Sequence, residues 1–308
     1  MKRFLLIAVA LTVAFMSAFA QSDALPFTRI ERDPAASAMA GAPVSSTSWT
    51  AYSAFSNAAV LPFASTERMD AAVCYQNWAP DVAGTMNLQA GVAFKFSDRM
   101  GLSLGFASQT GAAYDELNGD GSVVGSITPK DMVIAAGFGF GLSESLSFGL
   151  NARFAKQTLA PDASYNGVSG DVYVLYRPMD ALSLTAGVST LGSSVKSVTK
   201  KSFSQPASAR FGATYRLSLA EENAIEANLG ADYYFSGNYG VAVGAEYGWK
   251  GMVFGRAGYR MASKEAVIPS HAGIGLGAKW NGIRLDVSFL TASKALGNTL
   301  AVGLGYSF

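Results

Sequence analysis

Histidine and cysteine are almost missing: there is one of each in 308 residues. Cys74 has no second cysteine to pair with, so it reads as a small apolar filler in a strand. A structural zinc site needs four Cys, His or carboxylate ligands, and the chain cannot supply the nitrogen and sulfur ones. Catalysis by acid–base or nucleophilic chemistry needs a partnered set of groups. His271 has Ser270 and Ser288 as possible hydroxyl partners but no such constellation around it. No enzyme, cofactor or metal is therefore expected. Charge is scarce as well, at 15% of residues, against about 25% in ordinary soluble proteins. No global field exists to attract nucleic acid. Long apolar runs are absent after residue 20, which excludes a bundle of membrane-spanning helices. Yet half of the chain is hydrophobic and 12% is aromatic, so apolar residues must be dispersed in a pattern.

The first twenty residues are the exception. Lys2 and Arg3 precede an apolar core from Phe4 to Met16 and the small-residue exit Ala18-Phe19-Ala20. This predicts a secretory signal peptide over 1–20, cleaved after Ala20. Losing its two cations takes the formal charge from +1 to −1.

From residue 68 onward the period is two. Met86, Leu88, Ala90, Val92, Phe94 and Phe96 alternate with smaller or polar residues, and so do Met132 to Leu142 and Ile225 to Phe235. Fourteen such segments are predicted: about 69–78, 86–97, 99–109, 131–142, 145–157, 168–177, 181–191, 205–218, 223–236, 238–249, 251–261, 270–281, 282–292 and 298–308. Their connections alternate. Short ones fall at Ser97-Asp98, Ser143-Glu144, Pro178 to Asp180, Leu219 to Glu222, Lys250-Gly251 and Asn281-Gly282, the last a strong hairpin signal. Longer ones fall near 79–85, 109–130, 158–167, 192–204, 262–269 and 293–297, with 236–238 the one tight member of this set. Alternating short turns and long loops mark outer-membrane barrels.

Strands of this length cross a hydrocarbon layer when tilted. In lipid every backbone group must be paired, so the sheet must close. The bulky residues occupy one face and Gly, Ala, Ser and charges the other, the inverse of a sandwich core. The expectation is an all-β transmembrane antiparallel up-and-down barrel over 68–308, with a non-alternating N-terminal periplasmic or plug segment over 21–67.

A barrel of this size is too wide for its own side chains to fill. By parity, Lys95, Arg153, Asp171, Arg177, Arg210, Arg216, Glu226, Asp232, Glu246, Arg256, Lys279, Arg284 and Asp286 face the lumen. A simple ion-selective pore favours rings of one sign. Mixed charge suits clamping of an inserted segment; solvated charge in an open channel is the alternative. The loop Asp115–Ser122 lacks the spacing and final Glu of a calcium loop. Lys196, Lys200 and Lys201 form a basic loop that could meet lipopolysaccharide.

Two stretches carry a resemblance. RIERDPAASAMAGAPVS and TAYSAFSNAAVLPFAS resemble the N-terminal segment of the PorV/PorQ family, within the wider FadL-like group of outer-membrane barrels. The family runs from an Asp-Pro or Asp-Ala step into Ala-Met-Gly-Gly, and later through Asn-Pro-Ala. Asp33, Pro34, Ala38, Met39, Gly41, Asn57 and Ala59 keep that pattern, while Ala40 replaces a glycine and Ala58 the proline. The stretches DELNGDGSVVGSITPKDMVIAAGFGFGLSESLSFGLNARF and VSGDVYVLYRP are similar to the family's middle region. The final strand, ending on Tyr306 and Phe308, resembles the C-terminal signal read by the barrel-assembly machinery.

The resemblance implies a Gram-negative outer membrane, with lipid and lipopolysaccharide as surroundings. It also implies one of two activities. PorV-like members hold secreted cargo for type IX secretion; FadL-like barrels pass hydrophobic small molecules. The first is the leading expectation and the second its alternative.

Overall fold

The period-two segments become strands throughout. The computed structural model describes residues 24–65, 68–196, 200–219 and 222–308, so the expected signal peptide lies outside the described residues. In chain order the strands are β1 (Met69–Trp78), β2 (Thr85–Ser97), β3 (Met100–Thr110), β4 (Tyr114–Leu117), β5 (Val123–Ile127) and β6 (Lys130–Gly141). Then come β7 (Leu146–Ala160), β8 (Ala163–Met179), β9 (Leu182–Gly192), β10 (Val195–Lys196), β11 (Ser202–Phe203) and β12 (Ser208–Ser218). The last six are β13 (Ala224–Tyr234), β14 (Tyr239–Trp249), β15 (Val253–Ala262), β16 (His271–Trp280), β17 (Ile283–Thr291) and β18 (Thr299–Ser307).

Among the described residues, fourteen strands close into one barrel in chain order, with β1 joined to β18. The pairs β4–β5 and β10–β11 stand apart as small hairpins within two of the long connections. Every barrel pair is antiparallel, and closure runs from Asp70 opposite Ser307 to Asn77 opposite Leu300. At that seam Phe308 donates its N–H to Met69 O at 2.8 Å, and the Tyr306 and Phe308 rings meet edge to face.

Pleat sets the two faces. Inward residues such as Asn87, Gln89, Ser103 and Asn151 are buried, whereas Leu276 and Trp280 point outward, 69% and 66% exposed. So broad an apolar outer wall is stable only against hydrocarbon.

Two expected loops differ. The connection expected over 158–167 is mostly strand, because β7 and β8 run 15 and 17 residues to a tight turn at Pro161-Asp162. Tyr165 and the neighbouring residues pair across it, so their polar composition marks height above the membrane, not irregular backbone. The connection that carries Lys196, Lys200 and Lys201 keeps those three side chains exposed but turns inward at Val195. Val195 is buried against Leu25, Phe27 and Ile30, and Ala24 donates to Ser204 O.

Residues 24–65 lie inside the barrel. They form a short helix α1 (Pro34–Ala38) and three 3-10 turns, Pro26–Arg29, Ser53–Phe55 and Ala58–Phe63. The segment starts beneath the long loops, crosses the lumen, and returns to the short-turn rim before β1.

Candidate functional site: the inner segment and its wall

Backbone lies directly on backbone where this segment meets the wall. At Gly149 an added Cβ would overlap Ala59 N, and at Gly139 and Gly91 it would overlap Ala58 O and Ala51 O. On the opposite wall Gly258 and Gly273 leave the same space for Met39 and Ala38. The signal for these contacts was present in the sequence, as glycine at inward-facing positions of strands. It had no meaning until a second backbone was known to lie there.

Hydrogen bonds fix the segment along its length. Asn151 alone makes three: its amide donates to Ser53 O and Ala54 O, both at 2.8 Å, and accepts from Ala58 N at 3.1 Å. Asp70 binds Thr50 N and Thr50 Oγ1 with one oxygen and Ser307 Oγ with the other. It thereby ties the segment to both strands of the closure seam. Neither residue stands out in the sequence, since an inward Asn or Asp is expected on any barrel strand.

The parity-predicted charges divide into those that touch the segment and those that brace one another. Asp232 binds Arg29 at 2.7 Å. Glu226 accepts from Ser48 Oγ, Lys95 donates to Ala64 O, Arg177 covers the Phe63 ring and Arg284 the Trp49 ring. Arg210 sits against Asp232 and borders a cavity shared with Glu31. Arg153 with Asp171, and Arg256 with Glu246 and Asp286, are wall-to-wall pairs. Lys279 and Arg216 border a vestibule at the short-turn rim.

The motif residues have local roles. Asp33 caps α1 by accepting from Ala35 N, with Pro34 at the first helical position, where a missing N–H costs nothing. Ala40 and Gly41 both take left-handed backbone, φ 54° and 76°, which explains the glycine that Ala40 replaces. Asn57 caps the turn at Ala58–Phe63 and reaches Val44 O and Thr185 Oγ1. Ala58, in place of proline, keeps the N–H that Asn151 accepts. The departure from the family pattern is thus compensated by a wall contact.

Arg32 is buried among carbonyls, Phe27 O at 2.7 Å and Gln89 Oε1 at 3.3 Å, and burial lowers its pKa to about 10. Burial pushes Asp33 up to about 7; Asp286 and Glu31 add to the rise and Arg284 opposes it. The folded state holds that proton more tightly than the ordinary 3.8. Stability from Asp33 is therefore complete below that value and lost as pH rises through about 7. In detergent melts between pH 5 and 8, the wild type should weaken with rising pH and Asp33→Asn should show a flatter profile; equal slopes would contradict the assignment.

Three cavities string along the segment. The one toward the long loops has a volume of about 40 Å³, the middle one about 60 Å³ and the vestibule about 320 Å³. Glu31, Gly41 and Arg210 border the first two, and Ser48, Glu226, Glu246 and Arg284 the last two. The upper pair holds only a few waters each, at roughly 10–15 Å³ per water, and its walls are charged. Cavities of that size and charge do not suit an apolar molecule.

The wall itself is irregular in one place. Gly170 pairs with Leu191 and Val172 with Val188, so one residue of β8, Asp171, opposes both Ser189 and Thr190. Thr190 has φ 59°, strained for a β-branched residue. Its N–H leaves the ladder for Asp171 Oδ1 at 2.7 Å. Directly outside lies a groove of about 500 Å³, floored by Ala136, Ala152 and Gly170 and walled by Phe138, Leu150, Val172 and Leu191.

Elsewhere, Cys74 is buried against Ala51 and Tyr52 and accepts from Gln89 Nε2. Asp120 holds its own turn through Ser122. Ser270 Oγ accepts from Ala262 N, and His271 Nδ1 faces Pro269 O.

No family model matches the sequence, and neither does any curated protein. Solved structures match in shape. The toluene transporter TodX of Pseudomonas putida superposes with a TM-score of 0.61 at 14% identity, over 89% of this chain and 98% of that one. The monoaromatic hydrocarbon channel CymD gives 0.60 at 12%, over 89% and 97%. A FadL homologue of Pseudomonas aeruginosa gives 0.59 at 10%, over 90% and 98%. At such identities the likeness is one of fold: this chain shares the closed-barrel architecture of these channels. The narrower PorV/PorQ likeness rests on the sequence stretches alone.

Proposed function

We propose that this protein is an outer-membrane barrel, plugged by its N-terminal segment, that passes hydrophobic small molecules through its wall. This reverses the order of the two activities expected from sequence. The observation that carries it is the interrupted β8–β9 ladder facing an apolar groove. A space of that size suits an apolar ring, since about 150 Å³ takes up benzene. The polar cavities beside the plug do not suit one. The FadL-like fold, shared with channels whose names specify toluene and monoaromatic hydrocarbons, supports the same reading.

The test locks the seam. Gly170→Cys with Leu191→Cys, in a Cys74→Ala background, places a disulfide across paired residues. Oxidised cells should take up labelled toluene or fatty acid at least tenfold more slowly, and reductant should restore uptake. Full crosslinking with unchanged uptake would remove the proposal.

Secretion or surface display is the second reading, favoured by one feature. The β4–β5 hairpin holds Leu117, Val123 and Val124 about 60% exposed above the barrel, an apolar surface of the kind partners use. Deleting residues 114–127 should leave uptake intact under the first reading. Loss of surface proteins on that deletion would favour the second.

A further inference from the structure

Three guanidiniums converge on one carboxylate beneath the long loops. Arg29 of the plug, Arg210 of β12 and Arg260 of β15 reach Asp232 of β13 at 2.7, 3.2 and 2.8 Å. All four side chains are nearly buried, between 3% and 11% exposed. They border the 40 Å³ cavity, whose other ionisable walls are Glu31, His271 and Tyr234, the last a neutral phenol. Glu31 accepts from the N–H groups of Arg32 and Asp33. His271 Nδ1 lies 2.8 Å from Pro269 O; a carbonyl can only accept, so Nδ1 carries the hydrogen. At about pH 8, above the ordinary histidine range, the ring is neutral and presents Nε2. Three cations thus face two anions, and the wall carries one excess positive charge.

Donors are in excess too. Arg29 lies over the Tyr234 ring at 5.4 Å, and Tyr234, fully buried, lines the same cavity. Its hydroxyl and Arg260 Nε have no hydrogen-bond partner among the described residues. Buried charges and donors of this kind are costly unless something answers them.

We propose that this cavity binds one small monovalent anion of chloride or formate size. The anion balances the arginine excess, accepts from Tyr234 and Arg260, and holds the Arg29 end of the plug to the wall. Valence follows from the single excess charge. Size follows from a space that takes only a few water-sized atoms, too little for phosphate or sulfate. The proposal stands apart from what crosses the membrane.

The test uses the whole protein in neutral detergent at about pH 8, in sodium chloride, bromide, formate or gluconate at equal ionic strength. Gluconate is too large for the cavity. At a hundredfold excess over its Kd, chloride should raise the melting temperature by about 5 °C or more relative to gluconate. Crystals grown in bromide should show an anomalous peak between Arg260 and Tyr234. Arg260→Gln makes the wall neutral and should abolish the preference, while Arg99→Gln, on the exposed rim, should keep it. Equal melting in all four salts, absence of the bromide peak, or a preference that survives Arg260→Gln would each overturn the site. If Arg260→Gln does not fold, the wild-type bromide peak decides. Octanoate binding more than tenfold tighter than formate would overturn the free ion and assign the site to an amphiphile's head group.

Discussion

In a Gly149→Val barrel the plug no longer seats, and the purified protein conducts at least several-fold more than the wild type. The reason is contact between two main chains. The position of a Cβ at residue 149 is already taken by Ala59 N, with Ala58 C and Ala59 Cα close behind. A side chain in the way could rotate aside; backbone of a capped turn cannot. Overpacking of this kind costs about 1–3 kcal/mol where neighbours can adjust. That shifts plug occupancy by roughly 5- to 150-fold, and the rigid neighbour puts the effect at the upper end. Planar-bilayer conductance and sensitivity of cells to vancomycin both report it. Gly255→Val is the control, because nothing lies within 4 Å of its would-be Cβ. A Gly149→Val channel no more conductive than the wild type would mean that the plug is seated elsewhere.

The second large effect comes from charge. Asp232→Ala leaves Arg29, Arg210 and Arg260 facing one another without their shared carboxylate. Removing one partner of a buried ion pair costs about 3–5 kcal/mol, because the remaining charge stays uncompensated. Here the only one of the three that can leave readily is Arg29, which belongs to the plug. Release should therefore begin at the plug's start, where Ala24 is held by Ser204 O. A cysteine at position 24, in the Cys74→Ala background, should react with a membrane-impermeant maleimide on whole cells far faster in Asp232→Ala than in the parent. Arg29→Gln should have a smaller effect on melting, since Arg210 and Arg260 still neutralise Asp232. If the two variants melt alike, the cluster does not act as a unit.

Both predictions concern a segment whose place could be expected from sequence only in outline. Its charges, and the mixed signs on the facing strands, suggested clamping, and Arg29 does meet Asp232. The actual contacts came mostly from residues without a distinctive signal. Among the described residues Asn151 makes three hydrogen bonds to the plug and Asp70 and Gln89 two each, yet each looks like any polar lumen residue. The bulge at Ser189-Thr190 was invisible for a related reason. Its cause is a one-residue mismatch between β8 and β9, a property of the pair and not of either strand. The loop after β9 likewise folds inward because Val195 finds Leu25 and Phe27, which lie some 170 residues earlier in the chain.

What the sequence determined by itself was the barrel: strand number, closure, and which face meets lipid. Those follow from alternation, since pleat assigns each side chain its face locally and a lipid solvent forbids an unpaired edge. Tertiary structure alone decided how the plug is gripped, where the strand ladder is interrupted, and how the buried arginines are grouped. Each depends on the depth and angle at which a segment without periodicity crosses the lumen. That position is set by contacts between residues far apart in the chain, and no local pattern encodes it.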